Sequence, residues 1–113
     1  MKTQKIWLPS GFQESINERS RIHAAISNVN QATKYLNGWL KNYKADPTNS
    51  NLSSIEFALN WGMKYRDEFE AVEWLANKYN QLWQEKYYKA KHFMELSTDK
   101  AEQIFKNHQP ISQ

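Results

Sequence analysis

The sequence predicts an all-α fold, and three observations support this prediction. A seven-residue pattern of apolar positions runs unbroken from Ile55 to Phe93. A second pattern, in which apolar residues are spaced alternately four and three apart, runs from Ile22 to Tyr43. Both spacings place side chains along one stripe of an α-helix, which turns once every 3.6 residues. Apolar and polar residues nowhere alternate as they do in a half-buried strand.

The first long helix is predicted over about 10–43. A short N-terminal arm, residues 1–9, precedes it and ends at a proline. Ser10 and Gln13 then form a capping box, with a hydroxyl at the N-cap and an amide side chain three residues later. Gly38 lies opposite the apolar stripe, where it costs about 1 kcal/mol relative to alanine without ending the helix. The apolar stripe consists of Ile22, Ile26, Val29, Thr33, Leu36, Leu40 and Tyr43.

The second long helix is predicted over 53–94. The loop before it, residues 44–52, contains a proline and a run of Asn, Ser and Thr, which are unfavourable inside a helix. Ser53 and Glu56 form a second capping box. Because the register never slips, this helix is expected to be continuous or broken once near Asp67. Its stripe consists of Ile55, Ala58, Gly62, Tyr65, Phe69, Val72, Ala76, Tyr79, Trp83, Lys86, Ala90 and Phe93.

The two long helices are expected to form an antiparallel hairpin, because a loop of about nine residues joins them. After a third break at 96–99, a short C-terminal helix is predicted to end near Asn107, followed by a loose tail over 108–113. The second helix is longer than its partner, so its end needs cover from the C-terminal helix, the N-terminal arm or a second copy of the chain. Dimerisation through Trp61 and Gly62 is therefore predicted, since a glycine lets a neighbouring helix approach closely.

The composition is that of a single domain of 113 residues without cysteine, which excludes disulfides and thiolate metal sites and fits a reducing cytoplasm. No apolar run is long enough for a signal peptide or a membrane span, so a cytoplasmic location and no membrane partner are expected. The net charge of +3 permits nucleic-acid contact without requiring it. The basic excess lies in residues 1–51, with seven basic and three acidic side chains, against eight and nine in residues 52–113.

Patterns typical of catalytic or ligand-binding sites are not found in the sequence. The three histidines lack the spacing of metal ligands, so no metal or cofactor is expected. The acidic cluster at 67–73 is explained by helical ion pairs, such as Arg66 with Glu70. The three glycines form no phosphate-binding loop. The chain is therefore not expected to be an enzyme.

Two aromatic residues of the second predicted helix lie where a polar side chain would be expected. Trp74 and Tyr88 fall opposite the apolar stripe, two heptads apart in an otherwise polar row. Tryptophan and tyrosine dominate interface hot spots. These two residues are therefore expected either to bind a partner protein or to be covered by another segment of the chain. The predicted partner-binding set is Trp7, Trp74, Lys78 and Tyr88.

The stretch 86–92 combines lysines with tyrosines in a way that is typical of a nucleic-acid contact. Lysines can neutralise phosphates, and tyrosine rings can stack on bases. The candidate contacts are Lys86, Tyr87, Lys89 and Lys91. The alternative is an ordinary solvated helix face, on which two or three lysines are common.

These observations predict a non-enzymatic interaction protein that binds and modulates or blocks a larger macromolecule. Small, cysteine-free, aromatic-rich helical chains of this kind resemble in style the inhibitors and adaptors that phages and mobile elements encode against host machines. An inhibitor of a nucleic-acid-processing complex, of the anti-CRISPR type, is one concrete version of this hypothesis. The alternative is a direct nucleic-acid-binding protein or a small helical subunit of a nucleoprotein complex.

Overall fold

The computed structural model describes residues 12–108, with side chains from Ile16 onward. This part of the chain confirms the all-α prediction, since it contains four helices and no strand. None of these helices is long and apolar enough to cross a membrane. The predicted arm over 1–9, the start of the first capping box and residues 109–113 of the predicted tail over 108–113 lie outside the described residues. The helices are α1 (Phe12–Ala45), α2 (Asn49–Ala71), α3 (Glu73–Lys78) and α4 (Gln81–Asn107).

Helix α1 is continuous through Gly38, as predicted, and the position of a Cβ atom there has no heavy atom within 4 Å. Its predicted apolar stripe is confirmed, because five of the seven residues are buried and the other two are half-buried. Thr33 is buried without an unsatisfied hydroxyl, since its Oγ1 donates to the carbonyl of Val29 at 2.7 Å. Ala25 and Ala32 are buried beside the stripe. The small side chains widen the face that α1 offers to its neighbours.

Helix α2 begins at Asn49, four residues before the predicted start at Ser53. Thr48 is its N-cap, because the Thr48 Oγ1 accepts a hydrogen bond from the backbone N–H of Asn51 at 3.1 Å. The Asn51 side chain in turn donates to the carbonyl of Asp46 at 2.7 Å. The predicted loop over 44–52 was therefore too long, because its Asn and Ser residues form the first turn of a helix.

The prediction of one helix over 53–94 was wrong. The chain leaves helical geometry at Val72 and again at Tyr79–Asn80, rather than near Asp67. The Asn80 side chain caps α4 by accepting from the backbone N–H of Trp83 at 3.4 Å. The seven-residue pattern identified residues that are buried or half-buried, with the exception of Lys86, but it continued across a reversal of the chain. Periodicity reports which side chains are buried and does not require that one helix carries them.

The predicted break at 96–99 and the short C-terminal helix after it were also wrong. Helix α4 runs through this segment, and Ser97 and Thr98 are buried within it. Its buried stripe is displaced from the predicted one, since Lys86 is exposed whereas its neighbour Tyr87 is 1% exposed. The buried residues of α4 are Tyr87, Ala90, Met94, Ser97, Thr98 and Ala101.

Three long helices pack together, in place of a hairpin with a short third helix. Helix α2 is antiparallel to α1, because Ile55 clusters with Leu40 at one end and Phe69 clusters with Ile22 at the other. Helix α4 is parallel to α1, because its early residues join the Ile22 cluster and Ala101 joins the Leu40 cluster. The short helix α3 links α2 to α4. The same chain thus covers both ends of α2, which removes one of the arguments for a dimer.

Candidate interaction surfaces

An aromatic face lies along α1 and α2 and is formed by Tyr35, Trp39, Phe57, Trp61 and Tyr65. Residues four apart share one side of a helix, which aligns the rings of each helix in a row. Tyr35 meets Trp39 edge-on with centroids 6.5 Å apart. Trp61 meets Tyr35 and Tyr65 edge-on, each with centroids 5.3 Å apart. Phe57 lies one turn before Trp61, beside Ser50, Ser53 and Ser54.

Three rings of the aromatic face are exposed to solvent, with Phe57 60%, Tyr35 41% and Trp61 39% exposed. The sequence predicts self-association for Trp61 and places Tyr65 in the apolar stripe, but it predicts no role for Tyr35, Trp39 and Phe57. The signal was present in the sequence as aromatic residues four apart, at 35 and 39 and at 57, 61 and 65. The two rows belong to different helices, so only the packing of α2 on α1 shows that they form one surface.

Gly62, the second residue predicted for self-association, contacts α1 of the same chain. A Cβ atom at Gly62 would lie 3.3 Å from the Cβ of Ala32. The glycine does allow a neighbouring helix to approach closely, as predicted, but that helix is α1. The close approach at Gly62 is therefore accounted for within one chain. A contact between two copies stays a prediction, and Trp61 is exposed beside Gly62.

Of the predicted partner-binding residues, Trp74 lies on α3 and Tyr88 lies on α4, at the end of the bundle where these two helices adjoin. Trp74 is 60% exposed. The Tyr88 hydroxyl lies 2.9 Å from Glu73 Oε2 and accepts a hydrogen bond from Asn77 Nδ2 at 3.0 Å. Lys91 joins this network, with its Nζ 3.6 Å from Glu73 Oε2. Tyr88 is thus engaged within the chain, Trp74 is open to solvent, and Trp7 lies outside the described residues.

Lys78, the remaining member of the partner-binding set, joins α3 to α1. Its Nζ lies 2.9 Å from Glu18 Oε1, and the Tyr79 hydroxyl donates a hydrogen bond to the same carboxylate oxygen. Hydrogen bonds from Tyr79 and from Lys78 lower the pKa of Glu18 below its ordinary value of 4.5. The Lys78 side chain is 47% exposed, so it holds an intramolecular contact at the surface.

The predicted nucleic-acid contacts are divided between different parts of the molecule. Tyr87 was wrongly included, because its ring is stacked on Phe69 with centroids 4.0 Å apart and its hydroxyl donates to the Phe69 carbonyl at 2.7 Å. Burial raises the pKa of the Tyr87 hydroxyl. Lys91 pairs with Glu73, on the side of α4 that faces α3. Only Lys86 and Lys89 project from α4 toward the neighbouring side of α1.

A lysine groove, which we define by the facing sides of α1 and α4, carries a concentrated positive charge. It comprises two hollows, of about 780 and 630 Å³, that follow one another along both helices. His23 and His92 also border it, and none of the described residues that line it is acidic. Its floor is apolar and includes Ile26, Phe93 and Leu96. Six exposed lysines line it: Lys34, Lys41, Lys44, Lys86, Lys89 and Lys100.

The sequence indicates only one side of the lysine groove. Lys86 and Lys89 are recognisable as a group because they are close together in the chain. The lysines of α1 are separated from them by more than forty residues and come alongside because α4 runs parallel to α1. Within residues 12–108, no three histidine or acidic side chains are grouped so that they could hold a metal ion.

Comparison with protein-family models, with curated proteins and with solved structures finds no match to this chain.

Proposed function

We propose that this protein is a non-enzymatic interaction protein that binds and modulates or blocks a larger macromolecular partner. The observation that carries the proposal is the aromatic face, on which four of the five rings contact one another and three are open to solvent. Blocking a nucleic-acid-processing complex, in the manner of an inhibitor encoded by a mobile element, is the concrete form of the proposal. The partner is a protein, because exposed aromatic clusters are what protein interfaces bury.

Two physical properties of the aromatic face support this role. Each buried aromatic side chain removes a large apolar area from water, which is the main favourable contribution to association. Four of the rings also contact one another edge-on, so these four have little side-chain freedom left to lose when a partner binds. The serines beside Phe57 add hydroxyl groups at the rim, where a partner's polar groups can be hydrogen-bonded.

Capture of partners from a host lysate by the immobilised protein, with and without nuclease, tests the proposal. Nuclease should not release the partner, because a protein partner is held through the aromatic face. The double substitution Phe57→Ala, Trp61→Ala should abolish capture without changing helicity, since truncating an interface aromatic typically costs about 2 kcal/mol or more. Trp74→Ala is the matched control, because Trp74 is as exposed as Phe57 but lies at the α3 end of the bundle.

The outcomes separate two surfaces. Loss of capture with the double substitution and retention with Trp74→Ala supports the aromatic face. The reverse result would transfer the binding site to Trp74 and Tyr88, the residues that the sequence predicted. Capture by both variants would contradict a role for exposed aromatic residues altogether.

A direct nucleic-acid binder is the second candidate, and the six lysines of the lysine groove are the observation that favours it. This candidate predicts that nuclease releases the captured material and that affinity falls steeply with added salt, because phosphate contacts displace counterions. It also predicts that Phe57→Ala, Trp61→Ala leaves binding intact, because the aromatic face is separate from the lysine groove.

A further inference from the structure

The lysine groove combines two properties that one occupant has to match. Its rims are positively charged, with three lysines from α1 and three from α4. Its floor is apolar, and Leu96 within it is 47% exposed. An occupant that covers this surface therefore needs acidic groups along its edges and an apolar stripe between them.

Segments of this chain do not provide such an occupant. Residues 1–11 contain two lysines and no acidic residue, so their charge has the same sign as the rims. The acidic residues at 67–73 lie around α2 and α3, but the apolar residues of that segment, such as Phe69 and Val72, are buried inside the molecule. With this segment, a second copy of the chain would therefore offer acidic groups without an accessible apolar stripe between them.

A single nucleic-acid strand would match the positive charge of the rims but not the apolar surface of the floor. Phosphates would pair with the lysines, and bases would need exposed aromatic rings on which to stack. Apart from the imidazoles of His23 and His92, the rings in the groove are those of Tyr43, Trp83 and Phe93, and all three are only half-exposed. The Nζ of Lys86 lies 5.5 Å from the Trp83 ring centroid, over the face that a base would use. Leu96 and Ile26 would gain little from contact with a sugar-phosphate backbone.

We infer that the lysine groove binds an acidic amphipathic helix of a partner protein. A helix placed between α1 and α4 contacts both, as the fourth helix of a four-helix bundle does. Its apolar stripe covers Leu96 and Phe93, and acidic residues on either side reach the lysines of α1 and α4. From Lys86 to Lys100 the groove extends about 21 Å at 1.5 Å per residue, which is about four turns of the partner helix. This inference rests on the proposed function, because it assumes that the partner is a protein. It concerns the lysine groove, whereas the proposed function concerns the aromatic face.

Fluorescence anisotropy with three labelled probes tests the inference. The first probe is a peptide of about 18 residues with leucine at helical stripe positions, glutamate beside them and alanine elsewhere. The second has the same composition in scrambled order, which keeps the charge and removes the stripe. The third is a single-stranded oligothymidylate. The amphipathic peptide should bind at least about tenfold more tightly than the scrambled one, because the apolar floor contributes only when the stripe is present.

Matched variants show whether binding occurs in the lysine groove. Leu96→Ser and the double change Lys86→Gln, Lys89→Gln should each weaken binding of the amphipathic peptide about tenfold, the effect of losing one interface anchor or two charge pairs. Leu82→Ser is the apolar control, since Leu82 is 55% exposed on α4 but does not line the groove. Lys106→Gln is the charge control on the same helix. Both controls should bind as the unchanged protein does.

Each outcome decides for or against the inference. Equal binding of the amphipathic and scrambled peptides would overturn it, because charge alone would then explain binding. Salt-sensitive binding of the oligonucleotide that tolerates Leu96→Ser would overturn it in favour of nucleic acid, and binding of none of the probes would also overturn it. Phe57→Ala, Trp61→Ala should leave peptide binding unchanged, so a failure of the aromatic face and a failure of the lysine groove are distinguishable.

Discussion

Phe69 and Tyr87 form the most completely buried aromatic pair in the described part of the chain. Phe69 is 0% exposed and lies parallel to Tyr87, with an interplanar angle of 3°. The Tyr87 hydroxyl is satisfied by the Phe69 carbonyl, so the pair joins α2 to α4 through both its rings and a hydrogen bond. Sequence spacing identified Phe69 but not Tyr87, because a tyrosine between two lysine-rich turns is equally compatible with an exposed position.

Phe69→Ala should lower the free energy of unfolding by about 3–5 kcal/mol, since it removes a buried ring and leaves a cavity between three helices. Tyr87→Phe should cost only about 0.5–1.5 kcal/mol, because it removes the hydroxyl and keeps the stacked ring. Urea denaturation followed by circular dichroism measures both values. Equal effects of the two substitutions would mean that the hydrogen bond, rather than the stacking and burial of the rings, dominates this contact.

The two described glycines occupy opposite environments on one bundle. Gly62→Leu should destabilise the fold by about 1–3 kcal/mol or more, because the added side chain has to displace α1 at Ala32. Gly38→Leu is the matched control and should stabilise α1 slightly, because the site is open and leucine favours a helix more than glycine does. Thermal unfolding monitored at 222 nm compares them. A neutral Gly62→Leu would place α1 and α2 farther apart than the structure does.

At the scale of the helices, the caps explain where the sequence prediction and the structure differ. A hydroxyl or amide side chain caps a helix only if the chain before it has left helical geometry. Ser53 has the sequence pattern of an N-cap, with Glu56 three residues later. Thr48 comes earlier in the chain, directly after Pro47, and it is the residue that caps α2. Several residues of the segment 48–54 could serve as an N-cap, and the hydrogen bond from Asn51 decides among them.

Thr48→Ala should therefore destabilise the protein by about 1 kcal/mol, the usual cost of losing an N-cap hydrogen bond. Ser53→Ala should change stability by a few tenths of a kcal/mol at most, since Ser53 is an exposed residue in the second turn of α2. Chemical denaturation of the two variants provides the comparison. A larger effect at Ser53 than at Thr48 would restore the original boundary of the helix.

The link between α1 and α3 should depend on pH through Glu18. Because Tyr79 and Lys78 lower its pKa in the folded state, the contact contributes stability above the ordinary carboxyl pKa. That contribution is lost as the pH falls through the lowered pKa, where the carboxylate becomes protonated. Glu18→Gln should thus narrow the difference in stability between neutral and acidic solution. Denaturant midpoints of the original protein and of Glu18→Gln, measured from pH 7 to pH 2.5, check this prediction. If both proteins lose stability equally over this range, Glu18 has the same environment in the folded and unfolded states.

At the scale of the whole molecule, self-association remains a prediction that now depends on Trp61. Helix α4 covers the part of the second helical region that was expected to need a second copy of the chain to bury it. Gly62 packs against Ala32 of α1 in the same chain. Sedimentation of the protein at high micromolar concentration should show a species heavier than the 13.4 kDa chain. Trp61→Ala should return it to the monomer, and Trp74→Ala should not. A monomer at every concentration would contradict self-association, and the proposed partner would then be the remaining occupant of the aromatic face.

The sequence by itself determined the all-α class, the continuity of α1 and most of the buried positions. These properties depend on local spacing, because side chains three and four apart share one side of a helix whatever the helix packs against. The stripe from Ile55 to Phe93 even predicted buried or half-buried residues on both sides of the chain reversal, with Lys86 as the exception. Trp74 was correctly expected to lie away from the core for the same reason.

Only the tertiary structure decided where the second helical region divides and which surfaces result. The end of α3 at Tyr79 lets α4 fold back along α1, because burying Tyr87 and Met94 against Ile22 removes more apolar area from water than a straight extension into solvent would. The lysine groove combines side chains from α1 and α4, which are distant in the sequence, and the aromatic face combines rings from α1 and α2. A local pattern contains no information about such pairs, since their proximity depends on how whole helices pack.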